Sequence, residues 1–355
     1  MRENIPIRIF ELLIQGDRLS PSDNDLLITY SRKNNNHFQG LNSHILEVIA
    51  QRSHLIYLAY PDILKNLAIH HIQIDPPETI LAILWNYWLP LAQSLAHQQQ
   101  KIGRTFIQGL LGGQGTGKTT LGIILEILLR HLGKKFLSIS LDDLYKTYAD
   151  RQKLRDLCPQ IIWRGPPITH DIKLGIQTLQ QLRNCLTNND QPIAIPRFDK
   201  SMHNGAGDRA ESLFVTNVDI VLFEGWFVGM RPLPISAFHN FAPPIVSESD
   251  RKFALQCNAE LANYLPLWEY LDSLIVLKPE DYHYSLQWRR EAEHKLFASG
   301  KSGLSDAEIT QFVEYFWKAL QPELFMPPML DRADLVVEIS RSHLPTKIYS
   351  NDSFA

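Results

Sequence analysis

From residue 105 onward, short apolar runs alternate with longer stretches of helical period. Phe106-Ile107 with Leu110-Leu111 forms one run, Phe136 to Ser140 a second, and Pro192 to Pro196 encloses a third. Asp219 to Phe223, Ser273 to Leu277 and Leu335 to Ile339 are strongly strand-like. Leu121 to Leu129 is apolar except at Gly122 and Glu126, which suits a helix buried on most sides, and Gly133 offers its stop. This alternation predicts an α/β fold with a mainly parallel sheet covered by helices. Ligands in that architecture sit beyond the carboxyl ends of strands.

The first hundred residues read differently. Their pattern is mostly helical, with breaks expected at Ser20-Pro21, Pro61 and Pro76-Pro77, and a loop at Asn34-Asn35-Asn36. The longest apolar stretch, Thr79 to Ala92, is interrupted by Asn86 and Pro90. It is too short to span a bilayer and reads as a core helix, with Trp85, Tyr87 and Trp88 as packing residues. The chain therefore divides into a helical N-terminal extension over residues 1–103 and an α/β domain over 104–345.

The first strand-like run leads into Gly112-Gly113-Gln114-Gly115-Thr116-Gly117-Lys118-Thr119-Thr120. Gly112 to Thr119 fits the phosphate-binding loop G-x-x-x-x-G-K-[ST] completely. A phosphate chain needs several backbone N–H groups aimed into one small concavity, and glycines let the backbone approach. The following helix presents its positive end to the same anion. Lys118 can reach the β and γ phosphates, and the Thr119 hydroxyl can bind Mg²⁺. A dinucleotide fingerprint fits less well, because Gly113-Gln114-Gly115-Thr116-Gly117 has the wrong final spacing for G-x-G-x-x-G.

Composition narrows the class further. The 355 residues are 45% hydrophobic and 21% charged, values of a soluble globular protein. A net charge of −3 argues against a general nucleic-acid binder. Cys158, Cys185 and Cys257 are widely spaced and odd in number, with no disulfide framework or zinc pattern. A reducing compartment and, with no secretory signal or membrane span in view, the cytoplasm are expected. His70-His71 is adjacent rather than at helix-face spacing, which suits surface or packing roles better than metal ligation.

Candidate chemistry gathers after the strands. Asp142 and Asp143 follow the Phe136–Ser140 run. Phosphorylating an alcohol needs its hydroxyl aligned with the γ-phosphate and its proton accepted; a positioned carboxylate does both, and Asp142 is the candidate base. Either acid could equally cap the next helix. Val218 to Phe223 is a buried strand ending in Glu224, an acid placed to organise Mg²⁺ as at the end of a Walker B strand. Asp171, Arg197, Asp199 and Arg209 lie in two polar segments suited to a small anionic or hydroxylated substrate, or else in ordinary surface loops.

The order GGQGTGKTT, SLDDLY, GPPITHD, PRFDKS…GAGDRA and VLFEGW resembles plant-type glycerate kinase, a family related to phosphoribulokinase, uridine kinase and pantothenate kinase. LWNYWLPLA near residue 84 and the tail from Trp288 to Leu330 resemble the same family, so the likeness covers roughly residues 80–340. The resemblance implies a P-loop kinase fold, with ATP and Mg²⁺ used to phosphorylate D-glycerate at its 3-hydroxyl. The product is then 3-phospho-D-glycerate, made in photorespiratory glycerate salvage, with no nucleic-acid or membrane partner. It assigns the ATP phosphates to Gly113–Thr120, Mg²⁺ to Thr119 and the strand-end acid to Glu224, the base to Asp142, and the substrate side to Asp171, Arg197, Asp199 and Arg209. Arg289 and Arg290 fall in the segment that resembles the closing lid of these kinases. The plant enzymes carry a plastid transit peptide and Met1-Arg2-Glu3-Asn4 does not read as one, so a bacterial, cyanobacterial-like version is expected. A kinase of another small acceptor, such as a nucleoside or pantothenate, and a nucleotide-dependent switch are the alternatives. The oligomeric state is not legible in the sequence.

Overall fold

The computed structural model describes residues 7–34, 45–74, 76–187, 191–298 and 304–350. Met1 to Asn4, Asn35-Asn36 and the five residues after Ala298 lie outside the described residues. The N-terminal helices are α1 (Ile7–Gln15), α2 (Pro21–Asn34), α3 (Ile45–Ile69), α4 (Pro77–Ile83) and α5 (Leu89–Ile102). Two of the three expected breaks are real. Before α2, Ser20 accepts from the Asp23 N–H at 3.2 Å and donates to the Asp23 carboxylate at 2.7 Å, and Pro21 fills the first turn. Pro77 opens α4 after Pro76, with no side-chain cap.

Pro61 does not break the chain: α3 runs through it for 25 residues. An interior proline costs a helix about 3 kcal/mol. Ile56, Ala59, Tyr60, Ile63 and Leu67 are all buried around it, and each large apolar side chain contributes roughly 1.5–3 kcal/mol. Tertiary burial outweighs the local penalty. The 79–92 stretch is helical throughout, with a π-helical turn at Leu84–Trp88. Trp85, Tyr87 and Trp88 are buried there, and Trp85 donates its indole N–H to Ser31 Oγ at 3.0 Å.

The second part contains β1 (Phe106–Gly112), α6 (Lys118–His131), β2 (Phe136–Ser140), α7 (Tyr148–Leu157), α8 (Ile172–Arg183), β3 (Ile193–Asp199), β4 (Asp208–Val215) and β5 (Ile220–Gly225). It continues with α9 (Glu248–Glu260), α10 (Leu265–Trp268), β6 (Ser273–Pro279), α11 (Tyr284–Ala298), α12 (Asp306–Ala319), α13 (Pro322–Leu330), β7 (Leu335–Ile339) and β8 (Pro345–Ser350). The main sheet has the order β2-β5-β1-β6-β7-β8, parallel except for β8. The period-2 alternation of its strands makes two cores. Phe106, Leu110, Ile220, Leu222, Ile275 and Leu335 meet the N-terminal helices and α6 on one face. Ile107, Leu111, Val221, Phe223, Val276 and Val336 meet the later helices on the other.

One strand-like run belongs elsewhere. β3 pairs with β4 as a separate antiparallel hairpin, and Asp199 is its last residue on that strand, opposite Asp208. β4 and β8 carry no strand signal in the sequence because no residue of either is buried, so neither shows a core-facing alternation. The carboxyl ends of β1, β2 and β5 lie side by side, since β5 pairs with both neighbours.

Candidate active site

The phosphate loop connects the end of β1 to the start of α6. Thr116 donates its hydroxyl to the Gly113 carbonyl at 2.8 Å, and Lys118 Nζ donates to that carbonyl at 3.0 Å. A Cβ on Gly112 would stand 2.5 Å from Thr116 Oγ1, so the tight fold of the loop excludes a side chain there. Gly115 has φ +79°, and a Cβ on it would meet Trp288 at 2.7 Å. Its carbonyl accepts from His343 Nδ1 at 2.8 Å, and the His343 ring stacks on Trp288 with centroids 4.7 Å apart. The loop is therefore braced from outside by α11 and by the turn between β7 and β8, a support that sequence reasoning missed.

Glu224, at the end of β5, lies opposite Ser140 of β2 and Leu110 of β1. Its Oε2 is shielded from water and takes no hydrogen bond, and Lys118 Nζ is 3.9 Å away. A shielded carboxylate oxygen without a donor fits a hard cation, which would satisfy it with oxygen coordination. Thr119 and Lys118 both line a neighbouring cavity. That cavity, about 370 Å³, is lined by Gly115 to Leu121, by His71 to Ile74 and by Ser342 to Pro345. A smaller cavity of about 80 Å³ also borders the loop, among Gln114, Trp226, Tyr282, Phe316, Trp317 and Met326.

The two acids after β2 have separate partners. Ser140 caps the short turn over Leu141–Leu144. Asp143 accepts from the Ser140 N–H at 3.0 Å and from Arg197 Nη1 at 2.9 Å, so it serves as the cap and as a tie to β3. Asp142 enters the cap only through its N–H, which donates to Ser140 Oγ at 3.2 Å, and its carboxylate is left for other partners. Its Oδ1 accepts from the Tyr145 hydroxyl at 2.7 Å and its Oδ2 from Lys200 Nζ at 2.6 Å. Burial pushes the Asp142 carboxyl up, but the Lys200 ammonium and the bonds from Lys200 and Tyr145 outweigh it and hold the carboxyl below its ordinary range. For Asp143 burial prevails over the Ser140 and Arg197 contacts, and the carboxyl is raised.

The β3–β4 hairpin covers these acids with cations. Besides Arg197 and Lys200, Arg209 donates to Asp171 at 2.6 Å and to the Tyr145 carbonyl at 3.3 Å. Asp171 is at the same time the N-cap of α8, accepting from Leu174 N. Arg197, Arg209, Asp142 and Asp171 are thus brought into one acid–base seam. Asp199 is not part of it and accepts instead from the Ser201 N–H and hydroxyl within its own turn. The hairpin tip is fixed by Arg151, buried, which donates to the Lys146, Ala206 and Gly207 carbonyls. At Gly207, with φ +71°, a Cβ would lie 2.3 Å from Phe198, so the tip closes only around a glycine. Tyr145, Lys200 and Arg151 went unnoticed in the sequence. Lys200 stands inside PRFDKS and Tyr145 inside SLDDLY, so their place in those segments was the only signal.

Behind Tyr145 sits His170, its ring stacked on the Tyr145 ring at 4.6 Å between centroids. His170 Nδ1 shares a 2.8 Å hydrogen bond with the Tyr264 hydroxyl, which also accepts from Ile168 N. Burial lowers the imidazole to about 3, against the opposing pull of Asp142, so the ring is neutral at physiological pH. It gives the acid-bearing turn an uncharged aromatic floor.

The two α11 arginines are occupied. Arg289 pairs with Glu293 and lies over the Phe312 ring at 5.2 Å, and Arg290 Nη2 donates to Thr310 Oγ1 at 3.0 Å. The neighbouring Trp288, not either arginine, touches the phosphate loop. Among the described residues, no cluster of His, Cys, Asp and Glu could hold a metal ion by itself, and no helix is long and apolar enough to cross a membrane.

A parallel sheet with a lysine-tipped glycine loop at its centre, a strand-end acid beside that lysine and an acid pair on the next strand defines a P-loop kinase fold. No family model matches the chain. Over 228 residues it is 35% identical to D-glycerate 3-kinase, chloroplastic, of Arabidopsis thaliana, a match covering 61% of this chain and 48% of that protein. The chain thus spans about half the length of that relative. It is 32% identical over 231 residues to the uncharacterized kinase mug58 of Schizosaccharomyces pombe, covering 62% of this chain and 82% of the relative. The solved structure of D-glycerate 3-kinase from Cryptococcus neoformans superposes with a TM-score of 0.65 at 27% identity, over 74% of this chain and 99% of that one. The chain belongs to the P-loop kinase family that includes D-glycerate 3-kinase.

Proposed function

We propose that the protein is an ATP-dependent D-glycerate 3-kinase, transferring the γ-phosphoryl group of ATP to the 3-hydroxyl of D-glycerate to give 3-phospho-D-glycerate and ADP. The observation that carries this reading is the acid–base seam at the end of β2. A carboxylate follows the strand one removed from the strand that leads into the lysine-tipped loop, under three cations able to meet an anionic acceptor. The names of the relatives point the same way.

In this reading the N–H groups of Gly112 to Thr120 cradle the phosphates, and the larger cavity takes the nucleoside end. Residues 1–103 act as an extension that supplies one wall of that cavity through His71 to Ile74, with the kinase domain over 104–345. Lys118 leaves the Gly113 carbonyl for the β and γ phosphates. Thr119 and Glu224 would hold Mg²⁺, which when bound neutralises charge on the transferring phosphoryl group. Asp142 takes the acceptor hydroxyl's proton, and Arg197, Arg209 and Asp171 orient the acceptor. The α11 arginines approach the transferring group only on closure, which excludes water from the reaction. Three free thiols suit a reducing compartment such as the cytoplasm, where the reaction would serve photorespiratory glycerate salvage.

The test is ADP release with ATP and Mg²⁺ across D-glycerate, L-glycerate, uridine and pantothenate, with NMR identification of the product. D-Glycerate turnover to 3-phosphoglycerate is expected. Preferred turnover of uridine or pantothenate, or 2-phosphoglycerate as the main product, would overturn the reading.

A further inference from the structure

Both oxygens of the candidate base are engaged. Asp142 Oδ1 accepts from Tyr145 within its own turn, and Oδ2 accepts from Lys200 across the seam. A carboxylate oxygen held by an ammonium at 2.6 Å is a poor proton acceptor, because the pair favours the ionised acid. For Asp142 to take a proton, Lys200 must leave Oδ2.

The three hairpin cations differ in how firmly they are tethered. Arg197 reaches Asp143 and, at 3.4 Å, the Ser138 carbonyl, while Arg209 reaches Asp171 and the Tyr145 carbonyl. Among the described contacts, the Lys200 ammonium meets Asp142 alone, on a four-carbon stem that is 60% exposed. An arginine fork held at two points is fixed, whereas a lysine held at one is free to swing.

Charge balance gives that freedom a use. Asp142, Asp143 and Asp171 face Lys200, Arg197 and Arg209, three acids against three cations. An acceptor that brings its own carboxylate adds one negative charge, and Lys200 is the one cation in the seam able to follow it.

We propose that Lys200 makes the base responsive to the acceptor's carboxylate: the carboxylate draws the Lys200 ammonium off Asp142 Oδ2, and that oxygen takes the acceptor hydroxyl's proton. The acceptor O–H bond breaks and its proton goes to Asp142. The acceptor oxygen forms the new bond to the γ-phosphorus, and the bond from that phosphorus to the bridging oxygen breaks, its electron pair leaving with ADP. Lys200 thereby determines specificity for α-hydroxy acids over neutral alcohols of the same shape. This rests on the glycerate-kinase reading above.

The experiment compares D-glycerate with D-glyceramide, its neutral isostere with the same 3-hydroxyl, in the wild-type protein and in Lys200→Met and Lys200→Arg. Loss of a charge-assisted contact should lower kcat/KM for glycerate about 10- to 100-fold in Lys200→Met. The same change frees Asp142 Oδ2 without any acceptor carboxylate and should speed glyceramide turnover, so the acid-over-amide preference collapses. Lys200→Arg, which keeps the cation, should retain most of the preference. A merely structural role would depress both substrates by the same factor, and an undiminished acid-over-amide ratio in Lys200→Met overturns the proposal while leaving the glycerate reading intact. A wild-type protein that turns over neither compound, yet phosphorylates another acceptor, overturns the function and this inference with it.

Discussion

The two ends of the cleft are built by different means. The nucleotide end is made of backbone: a glycine loop, the start of α6, and one lysine folded back on a carbonyl. The end proposed to take the acceptor is made of side chains: three acids from the turn after β2 and the start of α8, met by three cations from a hairpin outside the main sheet. A backbone cradle recognises what all nucleoside triphosphates share, and a side-chain seam can be re-specified residue by residue. In the proposed reading, the shared demand of phosphate geometry and the particular demand of acceptor identity are thereby met by different parts of the fold.

The strongest way to test that separation is at Asp142. Asp142→Asn keeps the size and the Tyr145 contact but cannot accept a proton, so kcat should fall about 10²- to 10⁴-fold while ATP affinity changes little. Asp143→Asn should lower kcat less and show mainly in thermal stability, because Asp143 caps its turn and anchors Arg197. Steady-state kinetics with a binding titration of an ATP analogue distinguishes these. A larger kcat loss in Asp143→Asn would exchange the two roles.

At the nucleotide end, Lys118→Ala should lower kcat about 10²- to 10³-fold, the effect of one missing charge-assisted contact in a transition state. Unlike Asp142→Asn, it should also weaken binding of the ATP analogue, because the ammonium meets ground-state phosphates too. Its fold should persist, since the ammonium's partners are the Gly113 carbonyl and, at 3.9 Å, Glu224, both within the site. Near-normal kcat in a folded Lys118→Ala protein would remove the loop from the reaction.

The same division decides what the sequence reveals. Gly112 to Thr119 is contiguous and its geometry is local, so the loop, its strand and its helix were legible, and the strand-end positions of Asp142 and Glu224 followed from the strand pattern. The acceptor seam depends on pairings across 38 to 58 positions, such as Arg209 with Asp171 and Lys200 with Asp142. No local period encodes those. β4 and β8 were invisible because neither buries a residue, and Pro61 misled because its local cost was read without the burial around it. The brace on Gly115 joins residues 228 positions apart through His343, beyond the reach of any spacing argument.

The smallest expected effects lie in α11, where the two ends of the cleft would meet on closure. Arg289 faces Glu293, whose side chain is only 5% exposed and also accepts from Leu304 N. Removing that arginine strips a shielded carboxylate of its cation and uncovers the Phe312 ring. Because Arg289 itself is partly solvated, the destabilisation should be about 1–2 kcal/mol, below that of a fully buried pair, and visible as a lowered Tm. Arg290 holds only the Thr310 hydroxyl, so Arg290→Ala should leave Tm within about 2 °C of wild type, the change expected for a single part-buried neutral contact. If α11 closes over the reacting phosphoryl group, Arg290 is the arginine free to reach it, and Arg290→Ala should lower kcat about tenfold at unchanged Tm. Hydrogen exchange over residues 284–298 should then slow only when ATP analogue and D-glycerate are bound together. Unchanged exchange with normal kcat in Arg290→Ala would reduce α11 to a static brace, acting through Trp288 on Gly115 and supplying no charge to the reaction.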